Sequence, residues 1–222
     1  MKRKLIIGLT LAAAVILAAG CISYDQELVL NEDGSGTVLV RYASDDPDGT
    51  AGAPVLSFTE EDIETEYAGS GVRVRNIQVY LAPERKEGPS EAKYYLDFED
   101  IEDLNGRGVF TAKDFKTTKD VMTQIFTLDE AGGTTTFTQT CVLDMDVEDP
   151  SALEVYTFTY ALTCPDAVTT TNGTIGPDGL TVTWSYALTE LIESPVKMYA
   201  VYGESGETGN GQGSIGHGKV SD

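Results

Sequence analysis

The stretch 25–42, DQELVLNEDGSGTVLVRY, decides how this chain begins to fold. Side chains at every second position share one face of each half, which predicts two strands with one buried side each. These positions are 26, 28 and 30 in the first half and 38, 40 and 42 in the second. Residues 31–36, NEDGSG, are typical of a turn because glycine takes positive φ at little cost. The stretch therefore predicts an antiparallel β-hairpin.

The same alternation continues to Tyr202 and predicts further strands. A second hairpin is expected from 72–81 and 92–98, and later strands at 121–128, 134–147, 155–164, 167–175, 180–188 and 196–202. Thr59 and the acids after it predict the start of a short helix. Helical turns are also expected at 99–104 and 188–193. We therefore predict an α+β fold, predominantly antiparallel β, with two or three short helices.

The N-terminus has the three parts of a secretion signal. Lys2, Arg3 and Lys4 precede Leu5–Ala19, an apolar run that is short for a membrane-spanning helix. The small residues of 18–20 then precede Cys21. This order predicts a signal peptide over 1–20 and attachment of diacylglycerol to the Cys21 thiol. An uncleaved anchor and an ordinary signal peptide followed by a chance cysteine are the alternatives.

Lipidation would tether the mature chain to a membrane without a spanning helix, because its acyl chains bury many methylene groups. We expect a cell-membrane or outer-membrane protein that faces the extracytoplasmic side, and the choice between the two membranes stays open. Residues 21–202 are then the folded, β-rich envelope domain. Residues 203–222 are rich in glycine and poor in apolar side chains, which predicts a disordered tail.

The charge of the chain limits its partners. Its 222 residues include 36 acidic and 15 basic ones, for a net charge of −21. Nucleic-acid binding is not expected, because phosphate contacts need clustered Lys and Arg. The acidity is explained by a solubilising surface, by adaptation to high salt or by cation binding. The acidic stretch 45–49 does not fit a calcium-binding EF-hand loop, since position 55 is Val where an acid is required.

The only local basic cluster consists of Arg73, Arg75, Arg85 and Lys86, on one predicted strand and its adjoining loop. In so acidic a chain, these side chains balance neighbouring acids or form a docking site for an anionic headgroup or partner. The sequence leaves both alternatives open.

Cys141 and Cys164 remain once Cys21 is lipidated, and an even number of cysteines fits an oxidising compartment. Alternation places Cys141 on the inward side of 134–147 and Cys164 on that of 155–164. If these two strands pair antiparallel, the thiols can reach disulfide geometry, which would stabilise the fold by about 3 kcal/mol. We therefore predict a Cys141–Cys164 disulfide. Two free buried thiols are the alternative.

No catalytic residue is indicated. His217, the one histidine, lies in the glycine-rich tail, where no packed shell can hold it beside a nucleophile. The sequence has no phosphate-binding loop, no dinucleotide-binding glycine motif and no metal-spaced Cys or His set, so we predict no cofactor and no metal. Paired-carboxylate hydrolysis stays open, because the acidic residues offer many candidate pairs.

Several stretches carry a resemblance to a known family. The small residues 18–20 and Cys21 form a lipobox, the motif at which bacterial lipoproteins are cleaved and lipidated. It is followed by Tyr24-Asp25 and by 27–37, ELVLNEDGSGT. Later stretches are FTEEDI at 58–63, LDFEDI at 96–101 and TVTW at 181–184. Together they resemble LppM-like bacterial lipoproteins from Cys21 to about Tyr202. The resemblance implies a non-enzymatic α+β domain exposed in the envelope, with lipid or glycolipid binding suspected for some relatives.

The sequence thus predicts a lipid-anchored envelope protein that acts as a binding or interaction module, with a lipid, a glycolipid or an envelope protein as its ligand. A carboxylate-dependent hydrolase of envelope polymers and a purely structural surface protein are the alternatives. Converging buried carboxylates in a cleft would favour the hydrolase. An apolar pocket or an exposed aromatic patch would favour lipid or protein binding.

Overall fold

The structure is a computed structural model that describes residues 23–45, 55–56, 58–68, 71–81, 89–107, 110–114, 117–120, 122–143 and 156–203. The expected signal peptide, Cys21, Arg85, Lys86 and the tail after residue 203 lie outside these residues. What the sequence predicts for them stays a prediction. No helix in the described ranges is both long enough and apolar enough to cross a membrane.

The helices are α1 (Glu60–Glu66), α2 (Leu188–Glu193) and a 3-10 helix (Ile101–Leu104). The strands of the described part are β1 (Ser23–Leu30), β2 (Gly36–Ser44), β3 (Val55–Leu56), β4 (Arg73–Tyr80), β5 (Ser90–Phe98), β6 (Phe110–Asp114), β7 (Thr117–Asp120), β8 (Met122–Ala131), β9 (Thr134–Leu143), β10 (Thr157–Thr163), β11 (Val168–Thr171), β12 (Thr174–Ile175), β13 (Thr181–Ala187) and β14 (Val196–Tyr202).

The opening hairpin is confirmed. Strands β1 and β2 pair antiparallel, with Leu28 opposite Val38 and Leu30 opposite Gly36. In the turn, the backbone N–H of Asn31 donates to the carbonyl of Ser35 at 2.9 Å. Gly34 has φ of 82°, the left-handed conformation that favours glycine. The predicted buried face is also observed, since Leu28, Leu30, Val38 and Val40 are all buried.

The first helix begins where the sequence predicts. The Thr59 hydroxyl accepts a hydrogen bond of 3.0 Å from the backbone N–H of Asp62 and so caps α1. Its other end is held by a residue that the sequence pattern did not indicate. The Arg107 guanidinium donates to the carbonyl of Glu66 at 2.8 Å, at the helix end where the dipole favours a cation.

Two of the sheets share one core. The seven-stranded sheet has the order β12-β13-β10-β1-β2-β5-β4, and the four-stranded sheet has the order β11-β14-β9-β8. The buried side chains of both form one hydrophobic cluster, so the sheets make a sandwich. A small third sheet has the order β3-β6-β7. Among the strands of the described ranges, β1 and β10 pair parallel and the other pairs are antiparallel, so the seven-stranded sheet is mixed rather than purely antiparallel.

The interior of the sandwich contains polar side chains that satisfy one another. The Tyr24 hydroxyl donates to Oε1 of Gln26 at 3.0 Å and lies 3.4 Å from Nε2 of Gln124. Oε1 of Gln124 accepts from Nε2 of Gln139 at 2.9 Å. Since Tyr24 belongs to β1 and Gln124 to β8, this chain of hydrogen bonds connects the two sheets across the core.

Two expected strands differ from the prediction. The predicted strand 167–175 is interrupted at Asn172-Gly173, so that β11 pairs with β14 in one sheet and β12 pairs with β13 in the other. The predicted turn 129–133 shortens to Gly132-Gly133, because β8 continues to Ala131. Both glycines have positive φ, 64° and 84°, as a two-residue hairpin turn requires.

The predicted Cys141–Cys164 disulfide is not formed, and both thiols are free and buried. The prediction required β9 and the strand ending before Cys164, β10, to pair antiparallel. They belong instead to opposite sheets, because β9 pairs with β8 and β14 while β10 pairs with β1 and β13. The inward direction of both cysteines was correctly predicted. The partner strand was not.

Candidate functional site

The two described members of the predicted basic cluster converge on one carboxylate. The Arg75 guanidinium donates to both oxygens of Asp97, at 2.9 and 2.8 Å, and Arg73 donates to the same carboxylate at 2.9 Å. Thr37 adds a hydroxyl donor at 3.1 Å. The hydrogen bond from Arg75, ahead of those from Arg73 and Thr37, lowers the pKa of Asp97 to about 2. Arg73 and Arg75 therefore balance an acid on their own sheet.

The free thiols lie in a non-reactive environment. Burial raises the pKa of Cys141 to about 11 and that of Cys164 to about 12, because the interior disfavours the thiolate. The Cys141 sulfur lies 3.4 Å from the hydroxyl of Tyr160, and that hydroxyl lies 4.0 Å from the sulfur of Met122. These groups are part of the core and are not accessible to a substrate.

One carboxyl group has the raised pKa that a general acid needs, but it lies on an open surface. Partial burial raises the pKa of Asp25, although a hydrogen bond from Thr159 and the charge of Arg41 oppose the shift. Asp25 and Glu27 lie on the outer side of β1, and Glu27 pairs with Arg41 at 2.5 Å. This surface is an open sheet face rather than a cleft, so it does not exclude water as carboxylate catalysis requires.

A concavity lies at one end of the sandwich, which we call the turn end because it carries the β1–β2 and β8–β9 turns. It is an open groove of about 410 Å³. Half of its lining residues are acidic and none is Lys, Arg or His. The lining residues are Asn31, Glu32, Asp33, Gly34, Glu99, Asp100, Ile101, Glu102, Leu128, Glu130, Thr135, Pro165, Asp166 and Tyr202. We call it the acidic groove.

Several elements place carboxylates in the acidic groove. Asp33 comes from the β1–β2 turn, where hydrogen bonds from the Ser35 hydroxyl and backbone N–H lower its pKa. Asp100 caps the 3-10 helix by accepting from the N–H of Glu102 at 2.9 Å. Glu130 comes from the end of β8. The floor is less polar, since Ile101 and Tyr202 are buried beneath these acids.

The acidic groove reaches an edge of the four-stranded sheet, because Leu128 and Glu130 of its last strand, β8, line the groove. The lower part of this edge is covered. The backbone N–H of Gly106 donates to the carbonyl of Gln124 at 3.0 Å. The side-chain amide of Asn105 bonds both backbone groups of Phe126, accepting from its N–H at 2.6 Å and donating to its carbonyl at 3.2 Å. Asn105 therefore takes the place of a neighbouring strand at Phe126.

The upper part of the edge is open. A strand residue directs its N–H and C=O to the same side, and this side alternates from residue to residue. Gln124 and Phe126 direct theirs away from β9, and the register is continuous to Ala131. Leu128 and Glu130 therefore do the same, and both line the groove. In the described part of the chain no hydrogen bond from another element reaches these backbone groups, which we call the open β8 edge.

The acidic groove lies at the opposite end of β1 from Ser23, the first residue of that strand. Strand β1 starts at Ser23, two residues after Cys21, and its last residue, Leu30, directly precedes the groove residues 31–34. Eight residues of extended chain span about 25 Å. The acidic groove therefore lies about that far from the start of β1.

No metal centre is seen at the positions described, and a cavity that lies inside the sandwich there is small. No group of three or more His, Cys, Asp or Glu residues there is arranged to hold a metal ion. A cavity inside the sandwich, next to Tyr24, Gln26 and Gln124, has a volume of about 20 Å³. This is room for about one water molecule and is far smaller than an acyl chain requires.

Sequence reasoning missed the acidic groove. The predicted strand 121–128 ends before Glu130, and no sequence pattern singles out Asn105. The available signal was the glycine pair 132–133, which alone suffices for a hairpin turn and would have extended β8 through Glu130. No pattern along the chain indicates that residues 31–34, 99–102 and 165–166 meet, because these segments approach one another only after the two sheets pack.

No protein-family model matches this chain, and no curated protein matches it. Among solved structures, it is similar to the folded domain of LppM from Mycobacterium tuberculosis, determined by NMR. The alignment has 15% sequence identity and a TM-score of 0.43, and it covers 86% of this chain and 95% of the LppM chain.

Proposed function

We propose that this chain is a lipid-tethered, non-enzymatic binding module of the bacterial cell envelope, and that its acidic groove binds a cationic ligand. The anchor would be the acylated thiol of Cys21. The β-sandwich would act as a rigid spacer, and the groove at the turn end would be the surface presented to the ligand.

A single observation carries the proposal: an open groove of about 410 Å³ at the end of β1 opposite Ser23, with seven carboxylates and no cation in its lining. Carboxylates collected in a concave surface focus a negative potential, which attracts cations and raises their association rate. Anionic headgroups would repel the carboxylates of the groove. This repulsion would favour an orientation in which the groove is directed away from the membrane.

The geometry supports a cationic ligand better than the lipid or glycolipid predicted from the sequence. The internal cavity next to Tyr24 is too small for an acyl chain. The described arginines of the predicted headgroup site, Arg73 and Arg75, are both bound to Asp97. We therefore propose that the ligand binds in the acidic groove. Lipid binding is the alternative, which a lipid-binding experiment would have to demonstrate.

Binding of the tetravalent cation spermine tests the groove. The test variant is Glu99→Gln/Glu102→Gln/Glu130→Gln, and the matched control is Glu60→Gln/Glu61→Gln/Glu64→Gln, which neutralises three exposed residues of α1. We expect calorimetry at low salt to give at least a tenfold weaker affinity for the groove variant and little change for the control. Equal affinities of the two variants would show that spermine binds only to the overall negative charge.

The tether is tested separately. Native expression of the parent and of Cys21→Ala, followed by membrane fractionation and intact-mass analysis, should show the parent in membranes with a diacylglycerol mass at Cys21. The variant should lose that mass and leave the membrane fraction. Membrane retention of Cys21→Ala equal to that of the parent would refute the lipid tether.

A further inference from the structure

We propose that the ligand of the acidic groove is an extended basic segment of a partner protein, which adds as a strand to the open β8 edge. This inference rests on the proposed function, because it assigns the cationic ligand of that same groove to a class. The geometry that carries it is the meeting of an unpaired strand edge with a carboxylate-lined groove at Leu128 and Glu130.

The open β8 edge offers backbone hydrogen-bonding groups to a ligand. Leu128 and Glu130 together direct two N–H donors and two C=O acceptors away from β9, in line with the groups of Phe126 that Asn105 already pairs. An added strand would form backbone hydrogen bonds with these four groups. The side chain of Asn105 forms the equivalent hydrogen bonds at Phe126, two residues before Leu128. Main-chain hydrogen bonds of this kind supply affinity in strand addition, and the side chains supply selectivity.

Asn105 also sets the length and position of the added segment. Because its amide occupies Phe126, a new strand can pair only from Leu128 upward to the Gly132-Gly133 turn. This leaves room for about four residues at about 3.3 Å each. The segment is therefore short, and backbone pairing alone gives modest affinity.

Charge selects the occupant. Glu130 lies on the open edge, and Glu99 and Glu102 lie in the same groove. Lys or Arg at alternate positions of an added strand would project toward the groove on one side, at the two-residue period of a strand. A second copy of this chain is disfavoured, because its net charge is −21 and acidic side chains on an edge oppose pairing with one another. The chain's own residues after Gly203 are disfavoured too, since they carry three acids and one lysine.

The test uses the full-length protein and the synthetic peptide Lys-Val-Lys-Val-Lys, with Glu-Val-Glu-Val-Glu and spermine as probes that lack either the charge or the peptide backbone. Amide hydrogen exchange of the parent protein reports directly on the edge. We expect the basic peptide to slow exchange at Leu128 and Glu130 about tenfold or more, while spermine leaves both rates unchanged.

Two substitutions at one position separate backbone pairing from charge. Glu130→Pro removes the outward N–H and leaves the pairing with β9 intact, because proline is tolerated on an edge where the N–H faces away from the sheet. Glu130→Gln removes one of seven carboxylates and keeps the N–H. We expect Glu130→Pro to weaken the basic peptide about fivefold or more and Glu130→Gln only about twofold. The melting temperature of each variant checks its fold.

The outcomes are distinct. Slowed exchange at Leu128 and Glu130 with the basic peptide supports strand addition, and it is measured on the parent, so it does not depend on whether Glu130→Pro folds. Peptide binding without slowed exchange overturns strand addition and leaves the cationic groove in place. Failure of both the basic peptide and spermine to bind overturns the proposed function and this inference together.

Discussion

The indole Nε1 of Trp184 donates a hydrogen bond of 2.9 Å to Oδ1 of Asn172, and this bond fixes the crossing of the chain between the two sheets. Trp184 belongs to β13 of the seven-stranded sheet. Asn172 also accepts from the N–H of Tyr199 at 3.0 Å and donates to the carbonyl of Lys197 at 2.7 Å, both on β14 of the four-stranded sheet. One amide side chain therefore connects both halves of the sandwich.

Replacing Asn172 should loosen this connection. Asn172→Ala removes three hydrogen bonds, of which the one from Trp184 is partly buried and the other two are exposed, so we expect a loss of about 1 to 2 kcal/mol in the free energy of unfolding. Asn172→Asp keeps the acceptor for Trp184 and Tyr199 but loses the donor to Lys197, and its loss should be smaller. Urea unfolding followed by fluorescence measures both, since Trp184 is the only tryptophan. Equal stability of Asn172→Ala and the parent would contradict this role.

Gly173 should not tolerate a side chain. A Cβ atom there would lie 2.6 Å from Nε1 of Trp184 and 2.6 Å from a methyl carbon of Val182. Gly173→Ala should therefore displace the indole and destabilise the fold by about 1 to 3 kcal/mol. The control is Gly176→Ala, whose nearest contact is the carboxylate of Asp178 at 3.2 Å, the end of a side chain that can move. Thermal unfolding should show a clearly larger decrease for Gly173→Ala than for the control.

The Asp97 carboxylate should give the stability a defined acid dependence. Its pKa is lowered to about 2 from the usual 3.8, so the stabilisation is present above pH 4 and is lost as the pH falls through 2. Asp97→Asn should therefore lower the free energy of unfolding by about 1 to 2 kcal/mol at pH 6, and its stability should approach that of the parent near pH 2. Denaturant unfolding at several pH values tests this. A constant difference from pH 6 to pH 2 would be inconsistent with it.

Asn105 should protect the lower part of the β8 edge. In Asn105→Ala the backbone N–H of Phe126 loses its acceptor, which lies 2.6 Å away in the parent. We expect the amide of Phe126 to exchange about tenfold faster in the variant and the fold to lose about 1 to 2 kcal/mol. The amide of Gln139, which lies in the interior strand β9, is the internal reference and should change only with global stability. Unchanged exchange at Phe126 would show that Asn105 is not its protecting group.

The two core cysteines should be reduced and unreactive in the native state. Burial raises their pKa values to about 11 and 12, so both remain protonated thiols at pH 8. Iodoacetamide should modify neither residue in the native protein and both in denaturant without any reductant. Peptide mapping identifies the modified sites. A mapped peptide pair joined through Cys141 and Cys164 would instead support the disulfide that the sequence suggested.

The sequence predicts which side of each strand is buried. It does not predict which strands lie next to one another in a sheet. Alternation correctly placed Cys141 inward on β9, and Cys164 inward just after β10. It carries no information about which strand lies alongside, because any apolar face can be covered by the opposite sheet. The two successive strands therefore seemed suited to a hairpin, and the disulfide was inferred from that pairing.

Local chemistry explains which short elements were predictable. The Thr59 cap and the β1–β2 turn depend on side chains a few residues apart, so the sequence contains all the necessary information. The split of 167–175 at Asn172 depends on Trp184 and Tyr199, which are distant in the chain. The acidic groove likewise assembles from segments spread along the chain between Asn31 and Tyr202, and its acids resemble ordinary surface charge until the fold brings them together.

The parallel pairing of β1 with β10 has a consequence for biosynthesis. Ser23 lies opposite Thr157, about 130 residues later in the chain, while β2 forms the other side of β1 immediately. The first hairpin is thus synthesised early, and one edge of β1 stays unpaired until β10 and β13 have been synthesised. Slow closure of such long-range contacts is expected to limit the folding rate. A nascent chain that ends before residue 157 leaves the edge of β1 that faces β10 unpaired, and an unpaired strand edge promotes aggregation. A chaperone is therefore most needed during this interval.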